Sequence, residues 1–453
     1  GILFRELSAL YKTYKNGEES LLALLPVQYA DYAVWQREQL AGETLERQLA
    51  YWRQRLAGAP ALLDLPTDHP RPALQTHRGA AEPFELSAEL LARLEALGRG
   101  EGATLFMVLL GALQVLLSKY SGSDDVVVGS PITGRSRHEV EGLIGFFTNT
   151  LVLRTDLSGD PGFREVLRRV REAALGAYDH QDVPFERLVE ELQPERSLGH
   201  SPLFQVMLIQ GNGDPSGLDL PGVTLRRFAG GTETSKFDLT VAVTAHAGGL
   251  SGSMEYSTDL FERATVLRML GHLRRVLEQA AADPDARISR LELLGEAERR
   301  LVVEEWNRTD AVYPDACVHH LVEAQVAWTP DAVAVVHGAE SLTYRQLNER
   351  ANGLAHRLVE LGVGPEVRVG ICLERGIGMI VSLLAVLKAG GAYVPLDPGY
   401  PAARLAFMAA DSAVPVLLTQ ESLRHALPAL DGVRVLHVER EGVDARAEGP
   451  FSG

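Results

Sequence analysis

The chain has 453 residues, 46% hydrophobic and 23% charged, which at roughly 150 residues per domain predicts two or three globular domains and excludes a disordered, collagen-like or coiled-coil chain. With 60 acidic against 44 basic side chains the net charge is −16 and no long basic run offsets it, so a nucleic-acid partner is not expected. The two cysteines, Cys317 and Cys372, are too few for a disulfide framework and fit a reducing, cytoplasmic setting, and the longest apolar runs, Leu105 to Leu117 and Ile377 to Leu387, are too short for a bilayer. Those runs predict buried helices, and no membrane partner is expected.

The chain opens in mid-helix, with Gly1 ahead of the amphipathic ILFRELSALYKTY and without a signal-peptide pattern, and is read as cut from a longer one. Tyr29 to Trp35 (YADYAVW) leads into a helix expected over Gln36 to Leu56, stopped by Gly58-Ala-Pro60. Leu65 to Pro72 (LPTDHPRP) has three prolines in eight residues, which excludes helix and central strand and marks a first seam. From Ala80 strands and helices alternate. A strand is expected at Glu82 to Leu86, then helices capped by Ser87 (through Leu97) and by Thr104 (through Tyr120). Strands follow at Asp125 to Gly129 and Phe147 to Thr155, then helices at Gly162 to Tyr178 and Pro184 to Leu192. Further strands are predicted at Leu203 to Gln210, Val223 to Phe228, Lys236 to Thr244 and Leu250 to Tyr256, with GNGDPSGLDLPG (Gly211 to Gly222) as a loop and a closing helix at Phe261 to Ala281. This spacing predicts an α/β layered domain.

A second seam spans Asp283 to Asp315. Beyond it come helix His319 to Trp328, strand Ala332 to His337, helix Thr343 to Leu361, strand Arg368 to Leu373, helix Gly376 to Ala389 and strand Ala392 to Pro395. That βαβαβ order predicts a mostly parallel sheet.

Few constellations carry chemistry. His319-His320, the one adjacent histidine pair, starts a helix with only Glu323 near ligand spacing, and is read as a surface or helix-start pair ahead of any metal or base role. His180-Gln181-Asp182 precedes Pro184 and a new helix. Asp182 is read there as a cap for that helix, with a base role for His180 as the alternative. Arg135, after a strand and the turn-forming Gly134, is either a solvated loop charge or the buried partner of a carboxylate. Leu387 to Asp397 (LKAGGAYVPLD) places two glycines at a helix C-terminus, whereas phosphate cradles sit at N-termini, and GxxxxGK[ST] spacing is missing; it is read as a helix stop feeding a buried strand.

Several of these stretches together resemble a nonribosomal peptide synthetase. Tyr29 to Trp35, Ile144 to Arg154 (IGFFTNTLVLR), His180 to Glu186 (HQDVPFE) and Arg196 to Met207 (RSLGHSPLFQVM) match a condensation domain in order. Leu342 to Leu347 (LTYRQL), Leu387 to Asp397 and Pro398 to Pro401 (PGYP) resemble the start of an amino-acid adenylation domain, and Glu298-Arg299 with Trp306-Asn307 is similar to the linker between the two. The resemblance implies an α/β, chloramphenicol-acetyltransferase-like condensation fold, its first half incomplete over 1–75 and its second half complete over 76–295. A linker over 296–316 and the N-terminal part of a parallel α/β adenylation domain over 317–453 then follow.

The family's catalytic signature, two histidines, three variable residues and Asp-Gly, is not present: at His319-His320 the aspartate position is Ala324. No catalytic, cofactor-binding or metal-binding residue is therefore expected in this chain. The resemblance gives supporting or tunnel-lining roles to Arg135, Asn149, His180, Gln181, Asp182 and Ser235, with Arg135 pairing to the signature's Asp. It further implies a parent that condenses carrier-bound aminoacyl or peptidyl thioesters, of L-configured donor type. That parent would use phosphopantetheine on carrier-protein domains, ATP and Mg, and its partners would be those carrier domains and the remaining synthetase modules. The alternatives are a noncatalytic docking scaffold and a stand-alone acyltransferase of the same superfamily.

Overall fold

A computed structural model describes residues 1–20, 22–135, 137–194, 197–211, 219–224, 233–425, 427–430 and 432–441. It divides into two compact units, Gly1–Arg308 and Thr309–Gly453. The first begins with helices α1 (Ile2–Lys15), α2 (Tyr29–Gln39) and α3 (Gly42–Leu56). The single helix expected over Gln36 to Leu56 is thus two: the chain breaks at Leu40-Ala41 and restarts at Gly42, whose φ of +57° suits a residue without a Cβ.

A six-stranded mixed sheet follows, built from β1 (Gly79–Ser87), β2 (Asp125–Ile132), β3 (Asn149–Asp156), β4 (Val206–Gly211), β5 (Leu239–His246) and β6 (Gly249–Ser257) in the order β1-β6-β5-β4-β2-β3. Helices α4 (Ala88–Gly100), α5 (Leu105–Ser121), α6 (Phe163–Asp179) and α8 (Arg263–Ala282) pack on it or on one another, and α7 (Phe185–Leu192) packs against α3. Local rules set the helix starts: Ser87 and Thr104 accept from the amides of Leu90 and Met107, as their positions predict. The apolar run Leu105 to Leu117 becomes α5, buried without interruption from Met107 to Ser118. β4 begins only at Val206, because Leu203 turns through φ +67°. Of the strand expected over Val223 to Phe228, residues 225–228 lie outside the described residues, as do 212–218 of the preceding loop and Arg196.

The proline-rich crossing is tied down along its length. Arg71 makes a bidentate pair with the buried Asp238, and Asp68 accepts from the Glu262 amide and the Thr265 hydroxyl at the start of α8, both at 2.8 Å. At the other end, the short α9 (Glu296–Arg300) reaches back through Glu298 to the buried His272, 3.1 Å away, which in turn meets Tyr120 at 2.7 Å.

The second unit holds α10 (Val318–Trp328), β7 (Val333–His337), β8 (Glu340–Thr343), α11 (Tyr344–Glu360), β9 (Arg368–Cys372), α12 (Ile377–Lys388), β10 (Ala392–Pro395), α13 (Ala402–Asp411), β11 (Val416–Thr419) and β12 (Arg434–His437). The sheet β10-β9-β11-β12 is parallel throughout, as the alternation predicts. The strand expected over Ala332 to His337 does not join it. It folds back on β8 through the two-residue turn Gly338-Ala339, with Gly338 at φ +60°, a local hairpin that the helix-strand alternation does not reveal. Among the described residues no single helix is long and apolar enough to cross a membrane.

Candidate functional site

The site of the first unit is built around the end of β2 and the start of β3. After Ile132 the chain turns at Gly134, with φ +59°, where a Cβ would lie 1.9 Å from the Phe147 carbonyl oxygen, so only glycine fits. The turn lays the half-buried Arg135 guanidinium over the Phe147 ring, 4.2 Å from its centroid, and lets it donate to the Val140 carbonyl. Among the described residues it pairs with no carboxylate.

Asn149, the first residue of β3, joins this turn to the HQDVPFE segment. Its Nδ2 donates to the carbonyls of Gln181 and Val183, both at 2.8 Å, and its Oδ1 accepts from the amides of Thr150 and Phe185 at 2.8 and 3.0 Å. Phe185 opens α7, so its amide has no partner within the helix, and Asn149 caps it from another strand. The capping reading of Asp182 therefore does not hold. Pro184 keeps the approach to α7 extended, and the Asp182 carboxylate accepts instead from Gln48 Nε2 on α3 at 2.9 Å. His180 follows the last turn of α6. Its Nδ1 donates to the Gly176 carbonyl at 2.8 Å, its ring stacks on Tyr51 at 4.0 Å, and its own carbonyl accepts from Trp52 Nε1 at 2.9 Å.

Asn149, Gln181 and Asp182 line a cavity of about 210 Å³ whose opposite wall is Tyr29, Tyr32 and Phe147. The three rings pack with centroids 4.8 to 6.3 Å apart, and the Tyr29 hydroxyl donates to the Phe146 carbonyl at 2.9 Å. Burial, and then the charge of Asp182, raise the Tyr32 phenol above its ordinary pKa. The cavity thus offers phenol, amide and carboxylate groups beside an aromatic wall, a chemistry of hydrogen bonding and positioning. Of the other expected site residues, Arg135 borders the cavity through Phe147 and His180 stands behind it. Ser235 is not part of it: buried, it donates from Oγ to the Phe237 carbonyl at 2.6 Å and packs under Gly79. Sequence reading missed Gln48, Tyr51 and Trp52, which brace this segment from α3; no local pattern marks them, because their role exists only once α3 packs on α7.

In the second unit the LKAGGAYVPLD stretch is a helix stop, but the strand it feeds, β10, is an edge strand and mostly exposed, not the buried strand expected. α12 ends at Lys388, Gly390 takes φ +76°, and a Cβ on Gly391 would strike Val363, so the chain can enter β10 only with glycines there. His319 and His320 lie in the first turn of α10, and Cys317, just before it, brings its thiol to them: one ligand atom from each lies within 4.8 Å of the others. The C-x-H-H spacing was the available signal. Burial, and then His320, hold the His319 imidazole below its ordinary pKa. Glu323 is committed elsewhere, to the fully buried Lys388.

Residues 1–303 match the family model described as condensation domain, and residues 322–451 match that described as AMP-binding enzyme. The chain belongs to the condensation-domain family of nonribosomal peptide synthetases, with the start of an AMP-binding domain behind it. It is 52% identical over 434 residues to a component of the linear gramicidin synthase of Brevibacillus parabrevis, covering 94% of this chain and 8% of that protein. It is 44% identical over 442 residues to a dimodular nonribosomal peptide synthase of Bacillus subtilis, covering 95% and 19%. The chain therefore spans less than a fifth of the length of these curated relatives. Among solved structures, a four-domain nonribosomal peptide synthetase bound to AMP and glycine superposes with a TM-score of 0.84 at 27% identity, over 98% of this chain and 35% of that one. The X-domain from teicoplanin biosynthesis does so with 0.61 at 34% identity, over 65% and 68%.

The condensation unit has the chloramphenicol-acetyltransferase-like fold of its family, and the family is catalytic in peptide synthesis, using ATP, Mg and phosphopantetheine carried on partner domains. One cavity of the AMP-binding unit does not fit a nucleoside triphosphate. The cavity at the carboxyl ends of β9 and β10 is walled mainly by apolar side chains and sets the carboxylates of Glu374 and Asp397 against the single guanidinium of Arg375.

Proposed function

We propose that this chain is the supporting half of a condensation site, followed by a partial amino-acid-activating unit, in a synthetase that joins two carrier-bound acyl groups. In that reaction the acceptor's α-amine attacks the donor thioester. A C–N bond forms, the C–S bond breaks, and the phosphopantetheine thiol leaves with the proton that the amine gives up. The reading assigns 1–75 to the first condensation half, 76–295 to the second, 296–316 to the linker and 317–453 to the adenylation domain. Asn149, Gln181 and Asp182 hold the tunnel wall, His180 braces it, Ser235 supports the neighbouring strand pair, and Arg135 meets the aspartate of the family's histidine signature. The donor is of L configuration, the partners are carrier-protein domains and further modules, and the setting is the cytoplasm.

The observation that supports this most is the convergence of YADYAVW, IGFFTNTLVLR and HQDVPFE, far apart in the chain, on one polar cavity knotted together by Asn149. The 453 residues carry no HHxxxDG, so amide formation by the chain alone is expected to be negligible, and so is ATP turnover, because the cavity at β9 and β10 is mainly apolar and lined by two carboxylates. The test is mass spectrometry of mixtures of donor-loaded and acceptor-loaded carrier domains. Product is expected with a module that unites this chain with residues bearing that signature, and none with the chain alone; product from the chain alone overturns the assignment.

A second reading, a noncatalytic docking scaffold, draws support from the likeness to the X-domain, which has been seen in complex with OxyB. Saturable binding of a carrier domain to the chain without turnover favours it.

A further inference from the structure

We propose that Cys317, His319 and His320 form a three-ligand transition-metal site suited to zinc(II), with water in the fourth position. Their ligand atoms lie within 4.8 Å of one another, and a tetrahedral ion with bonds of about 2.0 to 2.3 Å holds its ligands about 3.3 to 3.8 Å apart, so a small rotamer adjustment closes the set. No other described residue forms a hydrogen bond or ion pair with any of the three side chains, and the two imidazoles face each other at 4.3 Å between centroids. The helix start explains why. The first turn of a helix presents spare amides and no spare carbonyls, so a ring nitrogen there finds no backbone acceptor.

One thiolate and two imidazoles are a donor set that zinc takes readily and magnesium or calcium do not. Glu323, one turn further along α10, does not complete the shell, because it neutralises the fully buried Lys388 and its withdrawal would strand that charge. The fourth position therefore goes to solvent, and the site is open and exchangeable. On binding, the ion replaces the Cys317 thiol proton, which passes to solvent, and no electrons move.

The test is a titration of the untagged chain with cobalt(II), a spectroscopic stand-in for zinc(II), followed by zinc(II). One equivalent should bind with a thiolate-to-cobalt charge-transfer band and the intense visible bands of four-coordination, and zinc should bleach both. Cys317→Ser should abolish the charge-transfer band, His319→Asn and His320→Asn should each weaken binding by on the order of tenfold or more, and Cys372→Ser should change nothing. These three side chains sit at the surface or only partly beneath it, and circular dichroism of each variant confirms that it is folded. A six-coordinate spectrum, a charge-transfer band that survives Cys317→Ser, or saturation reached only at millimolar cobalt overturns the proposal.

Discussion

His180 and the pair His319-His320 occupy opposite ends of helices, and their surroundings differ accordingly. His180 follows the last turn of α6, where spare carbonyls are plentiful. Its Nδ1 takes that of Gly176, Tyr51 stacks on its face and Trp52 holds its backbone. His319 and His320 stand in the first turn of α10 beside an exposed thiol, where no carbonyl is spare. The same residue type is scaffold in one place and available ligand in the other, and what separates the two is the set of neighbouring donors and acceptors. The held region, extending from His180 through Asn149 to the crossing at 65–72, should therefore respond to loss of single partners in stability, while the 317–320 turn should respond only in what it binds.

The largest expected effect comes from the crossing. Asp238 is 2% exposed and Arg71 supplies both bonds to its carboxylate, so Arg71→Ala leaves a buried charge unpaired and should cost about 3 to 5 kcal/mol in urea unfolding of the first unit. Loss within 0.5 kcal/mol of zero would mean that solvent reaches Asp238 and that the crossing is not a held region.

Next is Asn149→Ala, which strands two carbonyls and the first amide of α7. At about 1 kcal/mol or more for each group left unsatisfied, the expected cost is roughly 2 to 3 kcal/mol. Asn149→Asp should be less stable still, since it keeps the acceptor for Phe185 but sets a carboxylate oxygen against the Gln181 and Val183 carbonyls in place of the donor. Equal stability of the two variants would assign the site to packing instead of hydrogen bonding.

These two residues also show where sequence reading stops. Ser87, Thr104, Gly134 and the helix stop at Gly390 could all be assigned from neighbours in the chain, because caps, turns and stops are decided within a few residues. The parallel sheet and the buried α5 and α12 follow from periodicity. Asn149, by contrast, caps a helix 36 residues away, and Asp182, although beside that helix, turns to Gln48 on α3. The break at Leu40-Ala41 and the hairpin of β7 with β8 were hidden for a related reason: each is a choice between continuing a pattern and turning, settled by one glycine at positive φ. Cys317 was not grouped with the histidines because it precedes the helix expected from His319, and only the turn into α10 brings its thiol to them.

Trp52→Phe should have a smaller effect. The ring volume is largely retained in a site that is 2% exposed, but the bond to the His180 carbonyl is lost, for an expected cost of about 1 to 2 kcal/mol. His180→Phe in the same background distinguishes ring from backbone: it keeps a flat partner for Tyr51 and removes only the bond to Gly176, so its cost should be lower than that of Trp52→Phe. A larger cost would place the imidazole, and not the backbone, at the centre of the brace.

The smallest effect concerns pH and comes from Asp68 at the start of α8. Burial opposes its charged form, but the hydrogen bonds from the Glu262 amide and the Thr265 hydroxyl outweigh that and hold its pKa below the ordinary value. A carboxyl lower in the folded than in the unfolded chain favours folding above its unfolded value, about 3.9, and loses that contribution as pH falls through the folded one. Wild type should therefore be modestly more stable than Asp68→Asn near neutrality, and the gap should close as pH is lowered from about 4 towards the folded pKa. A gap that stays constant with pH would mean that Asp68 acts by shape and hydrogen bonding alone. The helix start at α8 would then stabilise no charge, and the contrast with α10, whose first turn keeps its ligand groups unpaired, would rest on geometry without electrostatics.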